Sequence, residues 1–139
     1  MRFKKLYDDV EIAEYTHPGD AGLDLRSREE KVLSSGERYC FKIGLAFEIP
    51  DGYVGLIWDR SGLSLKEGLK TLGGVVDAGY RGEIGVSLVN LSEKDVKIEK
   101  GDRIAQILVQ KVENIELEET ENLNETRRGG GGFGASGRK

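Results

Sequence analysis

Between Tyr39 and Ile49 the chain alternates strictly: Tyr39, Phe41, Ile43, Leu45, Phe47 and Ile49 interleave with Cys40, Lys42, Gly44, Ala46 and Glu48. A period of two places one set of side chains on one side of an extended backbone, so the segment predicts a half-buried β-strand or two collinear short ones. Pro50-Asp51-Gly52 supplies a turn, and the run from Tyr53 to Trp58 is apolar on both parities. That suits a strand covered on both faces, by a second sheet or by a neighbouring subunit. Ile84, Val86 and Leu88 alternate in the same way, while Val96 to Ile98 and Ile104 to Val112 add two further β-prone runs. Short strands separated by turn residues predict an all-β sandwich, barrel or jelly roll. Only Leu63 to Leu69 has apolar spacing compatible with a short helix, with Gly68 as its terminator.

A chain of 139 residues is enough for one domain with a single core. No stretch approaches the roughly 20 apolar residues of a membrane helix, and Met1-Arg2-Phe3-Lys4-Lys5 leads into no apolar run like that of a signal peptide. The expectation is a soluble, unexported, cytoplasmic protein with no membrane partner. Cys40 and His17 are the only cysteine and histidine, which rules out an internal disulfide and zinc modules built on Cys/His spacing, and with them a catalytic histidine pair. The formal charge is -4, and no basic stripe with interleaved aromatics marks a nucleic-acid surface. Glycine is the unusual component: 20 residues of 139, about twice the usual share.

Composition changes after Val112. Residues 113–126 hold six glutamates and no lysine or arginine, and Arg127-Arg128 then leads into GGGGFGASGRK. The chain is accordingly divided into a β core at 1–112, an acidic linker at 113–127 and a glycine-rich C-terminal arm at 128–139. Such a composition taken alone describes a disordered terminus. Phe133, a lone aromatic among glycines, argues instead for a docking role.

Five stretches carry candidate chemistry. In Ala21-Gly22-Leu23-Asp24-Leu25-Arg26-Ser27, Asp24 points away from its flanking leucines, which is also what a solvated surface carboxylate would do. In Asp59-Arg60-Ser61-Gly62-Leu63-Ser64-Leu65-Lys66, an arginine, a hydroxyl and free amides converge at the start of the short helix, where anions bind; a plain N-cap by Ser61 explains the same residues. Gly73 to Gly82 joins two apolar stretches through a turn bearing Asp77 and Tyr80, groups that a generic hairpin would use for the turn and for packing. Gln106, in Gly101-Asp102-Arg103-Ile104-Ala105-Gln106, shares a parity with Ile104 and Leu108 and needs a polar partner there. The arm's glycines leave its amides free to approach phosphate oxygens.

Taken in order, AGLDLRS, DRSGLSLK, GGVVDAGYRGEIGVSLVN, GDRIAQ and RGGGGFGASG resemble the five motifs of the homotrimeric dUTPase family. The similarity runs from Ala21 to Gly137. It implies a small β jelly roll that assembles as a homotrimer, with three active sites at subunit interfaces built from motifs of different chains. It implies Mg2+-dependent hydrolysis of dUTP to dUMP and diphosphate, which keeps uracil out of DNA and supplies dUMP for dTMP synthesis. By resemblance Asp77 orients and activates the attacking water, and Tyr80 lies against deoxyribose and excludes a 2'-hydroxyl. The backbone of Gly73, Gly74, Val75 and Val76 reads uracil. Arg60, Ser61, Gly62 and Gln106 hold phosphates, and Asp24 holds the hydration shell of the metal through water. In the arm, Arg128 matches a γ-phosphate ligand, Phe133 a lid over uracil, and Gly134, Ala135, Ser136 and Gly137 a backbone cradle for the phosphates.

Three positions depart from the family pattern. Asp59 stands where a small residue or proline is commoner, and Ser64 and Ala135 replace commoner alanine and serine or threonine. An acid beside Arg60 is expected to weaken its phosphate contact. Deaminases of dCTP share the fold, but they carry a catalytic glutamate and typically a phenylalanine where this chain has Asp77 and Tyr80. A silent nucleotide-binding relative would have little need of Asp77, Arg128 or Phe133.

Overall fold

The computed structural model describes residues 1–132. Eleven strands account for almost all its regular structure: β1 (Arg2–Lys5), β2 (Leu23–Arg26), β3 (Lys31–Leu33), β4 (Arg38–Lys42), β5 (Leu45–Glu48), β6 (Tyr53–Trp58), β7 (Leu69–Thr71), β8 (Val75–Val76), β9 (Gly85–Asn90), β10 (Val96–Ile98) and β11 (Arg103–Lys111). They form a four-stranded sheet in the order β2-β11-β6-β8, a three-stranded sheet β4-β9-β7, and the pairs β1-β5 and β10-β3, all antiparallel. This is the all-β jelly roll anticipated. One core fills it, with Leu25, Leu33, Phe41, Val86 and Ile107 at zero exposure. Each such side chain contributes about 1.5–3 kcal/mol on burial.

The alternating segment is two strands in different sheets. The break falls at Gly44, whose φ of 71° lies in the left-handed region. A Cβ there would stand 2.3 Å from a Val10 methyl, so glycine is required on both counts. Inward parity survives the break, since Phe41, Ile43, Leu45, Phe47 and Ile49 are all buried.

Two sequence expectations are refined. The residues read as a short helix form one of π type, Leu63–Glu67, which Gly68 closes in the left-handed conformation. Leu69 starts β7, and no side chain caps the turn, so Ser61 is not an N-cap. The second concerns cover for β6, expected from a second sheet or a neighbouring subunit. Gly55 and Ile57 face the core, but Trp58 is 52% exposed and Val75, beside Leu56 on the same outer face, is 70% exposed. One chain covers only one side of this strand.

After Lys111 no further strand or helix follows among the described residues. Glu113 to Arg128 is exposed throughout. Among the described residues no helix is long and apolar enough to cross a membrane.

Candidate active site

Asp24 anchors the first of two concavities. It sits in the middle of β2 opposite Gln106 of β11, with its side chain only 12% exposed. Arg60 Nε stands 2.8 Å from Oδ1, and Arg103 Nη1 stands 3.1 Å from Oδ2. Thr16 Oγ1 donates to the same Oδ2 at 2.8 Å. The reading of Asp24 as a solvated strand carboxylate is therefore corrected: both its oxygens are occupied by charged or hydroxyl donors.

Gln106 also differs from the sequence expectation. The β2–β11 register shifts between Arg103 and Ala105, so Ile104 is an extra residue in a bulge and parity inverts across it. Ala105 and Ile107 point into the core while Gln106 points with Asp24 toward the cavity. Its partner is the Asp59 carbonyl, to which Nε2 donates at 2.9 Å. The cavity, 350 Å³, is lined by Asp24, Arg60, Ser61, Gly62 and Gln106, together with Thr16, His17, Asp20 and Arg103. Sequence reasoning missed these last four. Arg103 lay within a quoted motif, three residues before Gln106, and that spacing was its one signal; Thr16 had none.

The Asp59 carboxylate does not engage Arg60. Its carboxylate turns away to β7, where Oδ1 accepts from Thr71 N at 2.6 Å and Thr71 Oγ1 at 2.7 Å, and Oδ2 accepts from Lys70 Nζ at 2.5 Å. Burial raises a carboxyl pKa, but the Lys70 ammonium and the two Thr71 donors outweigh it and hold Asp59 below the ordinary carboxylate value.

The second concavity, 270 Å³, is lined by Ile57, Leu72, Gly74, Val75, Val76, Asp77, Tyr80 and neighbouring groups of β9. Ile57 N–H donates to the Gly74 carbonyl at 2.7 Å. The φ of Gly74 is 109°, and a Cβ would lie 2.7 Å from the Ile57 carbonyl oxygen, so only glycine lets the loop lie this close to β6. Asp77 opens a tight turn closed by Tyr80 N on the Asp77 carbonyl at 3.1 Å. A merely turn-forming aspartate would bond its own turn. The Asp77 carboxylate is exposed and has no hydrogen-bond or ion-pair partner among the described residues. Tyr80 does not pack into the sheet: it is 47% exposed, its hydroxyl donating to the Glu83 carbonyl at 3.0 Å.

The two concavities share no lining residue. The chain thus brings together Asp24, Arg60, Ser61, Gly62 and Gln106, and separately Gly74, Val75, Val76, Asp77 and Tyr80, with Gly73 in the loop just before them. Arg128 lines neither; its Nε donates to the Gly131 carbonyl at 2.6 Å in the exposed tail. Phe133, Gly134, Ala135, Ser136 and Gly137 lie outside the described residues.

The acids suit a metal carried in by phosphates. Asp20 and Asp24 balance Arg60 and Arg103 within the first cavity, so a triphosphate placed there keeps unneutralised charge. Among the described residues no group of three His, Cys, Asp or Glu could cage an ion. Magnesium, which keeps most of its waters and uses one or two carboxylates beside phosphates, fits this donor set.

Comparison with known proteins bears on the same residues. Residues 8–137 match the dUTPase family. A deoxyuridine 5'-triphosphate nucleotidohydrolase of Clostridium tetani is 41% identical over 140 residues, covering 99% of this chain and 97% of the relative. The structure of the Staphylococcus bacteriophage 80alpha dUTPase with dUPNHPP superposes with a TM-score of 0.92 at 34% identity, covering 98% of this chain and 97% of the other. A variant dUTPase of phage phi11 of S. aureus, in which a structural Mg(II) ion is coordinated, gives a TM-score of 0.83 at 29% identity over 89% of this chain and 98% of the other.

Proposed function

The chain belongs to the dUTPase family and hydrolyses dUTP to dUMP and diphosphate; from that premise we propose which of its groups do the work and how copies of the chain bring them together. The observation that carries the proposal is the separation of the two concavities. One holds phosphate-binding chemistry and the other a backbone loop, a free carboxylate and a tyrosine, and neither carries both sets of groups. A homotrimer resolves this: the Gly73–Tyr80 loop of one copy meets the arginine-lined cavity of the next, with a C-terminal arm closing over both. The uncovered outer face of β6 and β8, with Trp58, Leu56 and Val75, is the apolar surface available for such contacts.

Uracil is read by the backbone of Gly73 to Val76. Polar mismatch there is an effective filter, because each unpaired buried group costs about 1–3 kcal/mol. Tyr80, held through its hydroxyl, presents its ring to the sugar and leaves no room for a 2'-hydroxyl. Asp77 is the general base: free of internal partners and placed on the nucleoside side, it takes a proton from the water that attacks the α-phosphorus. The new bond is water oxygen to α-phosphorus, the α–β anhydride breaks, and diphosphate leaves with the bonding pair on its oxygen. Arg60, Ser61, Gly62 and Gln106 hold the phosphates, and Arg128 adds a charge to the γ-phosphate. Phe133, Gly134, Ala135 and Ser136 close the lid and exclude water. Asp24 would hold magnesium through water beside the phosphates, and the ion would supply charge neutralisation. The division into a core at 1–112, a linker at 113–127 and an arm at 128–139 follows from these roles, and a cytoplasmic site of action follows from the substrate.

The test is an assay of diphosphate release from each common deoxynucleotide and from UTP, with and without Mg2+, beside sedimentation of the full chain. dUTP should be cleaved, and dCTP and UTP should be poor substrates. Binding of dUTP without cleavage would refute the catalytic assignment, and an active monomer would refute the shared site.

A further inference from the structure

We propose that Asp59 is a positioning residue for the phosphate half of the site, its carboxylate fastening the Asp59–Gly62 segment to β7 and so setting where Arg60 and Gln106 stand. The inference rests on the reading of Arg60 and Gln106 as phosphate ligands. The segment leaves β6 at Trp58, and Asp59 and Arg60 make no strand pairing of their own. Asp59 ties this backbone to β7 through its carboxylate and to β11 through its carbonyl.

β7 is an edge strand in the order β4-β9-β7, and the amide of Thr71 on its free edge needs an acceptor. Asp59 Oδ1 supplies one, and takes the Thr71 hydroxyl as well, at 2.6 and 2.7 Å. Thr71 is 9% exposed, so neither donor has ready access to water in exchange. Lys70 Nζ neutralises the second oxygen at 2.5 Å, which keeps the acid's charge from opposing an incoming phosphate. On its other side the same residue accepts Gln106 Nε2 through its backbone carbonyl at 2.9 Å. Arg60, next in sequence, then reaches Asp24 at 2.8 Å and the Arg103 carbonyl at 3.3 Å. One residue therefore joins the two larger sheets and fixes a phosphate ligand on each side of itself.

Displacing such groups by even about 1 Å costs up to ~100-fold in rate. Asp59→Ala in the full chain should raise KM for dUTP by about 10- to 100-fold and weaken the non-hydrolysable dUpNHpp by the same factor. Affinity for dUMP, which lacks the two outer phosphates and leans on the uracil loop, should be largely kept. Thr71→Val, nearly isosteric and lacking only the hydroxyl, should reproduce the shift in part, and Thr71→Ser should restore it. Unchanged KM and dUpNHpp affinity in Asp59→Ala would overturn the proposal. So would equal losses for dUMP and dUpNHpp, or a Thr71→Ser variant no better than Thr71→Val. A wild-type chain unable to cleave dUTP would instead refute the functional reading beneath it.

Discussion

The two concavities differ in how their polar groups are spent. In the phosphate cavity nearly every charged group has an internal partner: Asp24 is held by Arg60, Arg103 and Thr16, and Gln106 by the Asp59 carbonyl. In the loop around β8 the backbone is fastened, through Ile57 and Gly74, but the Asp77 carboxylate has no partner among the described residues. The first is an electrostatic frame whose charges are already paired. The second is a fastened edge that carries one carboxylate unpaired among those residues. On the proposed reading, preorganisation and reactivity sit on different elements of one chain and meet when copies of it meet.

The hardest blow to that division falls on the unpartnered group. Asp77→Asn should lower kcat for dUTP by about 10²- to 10⁴-fold, the range general bases contribute, with dUpNHpp affinity largely retained. Unchanged turnover would remove Asp77 from the chemistry. On the proposed reading, deleting residues 128–139 removes the closing arm and should cut kcat by about 10²-fold, while sedimentation should still report a trimer. Loss of the trimer would show that the arm builds the assembly, not only the lid.

The same contrast explains what could be read from sequence. Strands with strict alternation, such as Gly85–Asn90 with Val86 and Leu88 buried, follow from local pattern because one face must be apolar. The turn after β8 was legible too, since Gly73, Gly74, Asp77 and Tyr80 fall within eight residues and their types announce a turn; its strand β8 pairs with β6, however, so the segment is a loop between two sheets and not a hairpin. The frame around Asp24 was less so. Thr16 and Arg103 approach it from opposite ends of the chain, and nothing local marks a threonine as the partner of a carboxylate eight residues on. The bulge at Ile104 defeated parity counting at Gln106, because one extra residue inverts every side chain after it. Asp59 was read as a neighbour of Arg60 in sequence, while its side chain belongs to Thr71 in space.

Arg103 sharpens the frame side of the comparison. Arg103→Met leaves Asp24, 12% exposed, with one cation instead of two. Because Arg103 is itself 36% exposed, solvent softens the loss, and a cost of about 1–2 kcal/mol in thermal or denaturant unfolding is expected. kcat/KM for dUTP should fall by about 10-fold, through KM, as Asp24 and Arg60 lose their mutual geometry. A variant destabilised but kinetically normal would make Arg103 a scaffold group alone.

The smallest effect concerns acid. Asp59 has a folded pKa below its ordinary value, despite burial, because Lys70 and Thr71 favour the ionised form. Its contribution to stability is therefore complete above the unfolded value of about 4 and is lost as pH falls through the lower folded value. Melting temperature followed from pH 6 down to about pH 3 should fall less steeply in Asp59→Asn than in wild type. Parallel acid slopes for the two proteins would mean that the Asp59 contacts add nothing that protonation removes, and the frame would then hold by the Arg60–Asp24–Arg103 pairs alone.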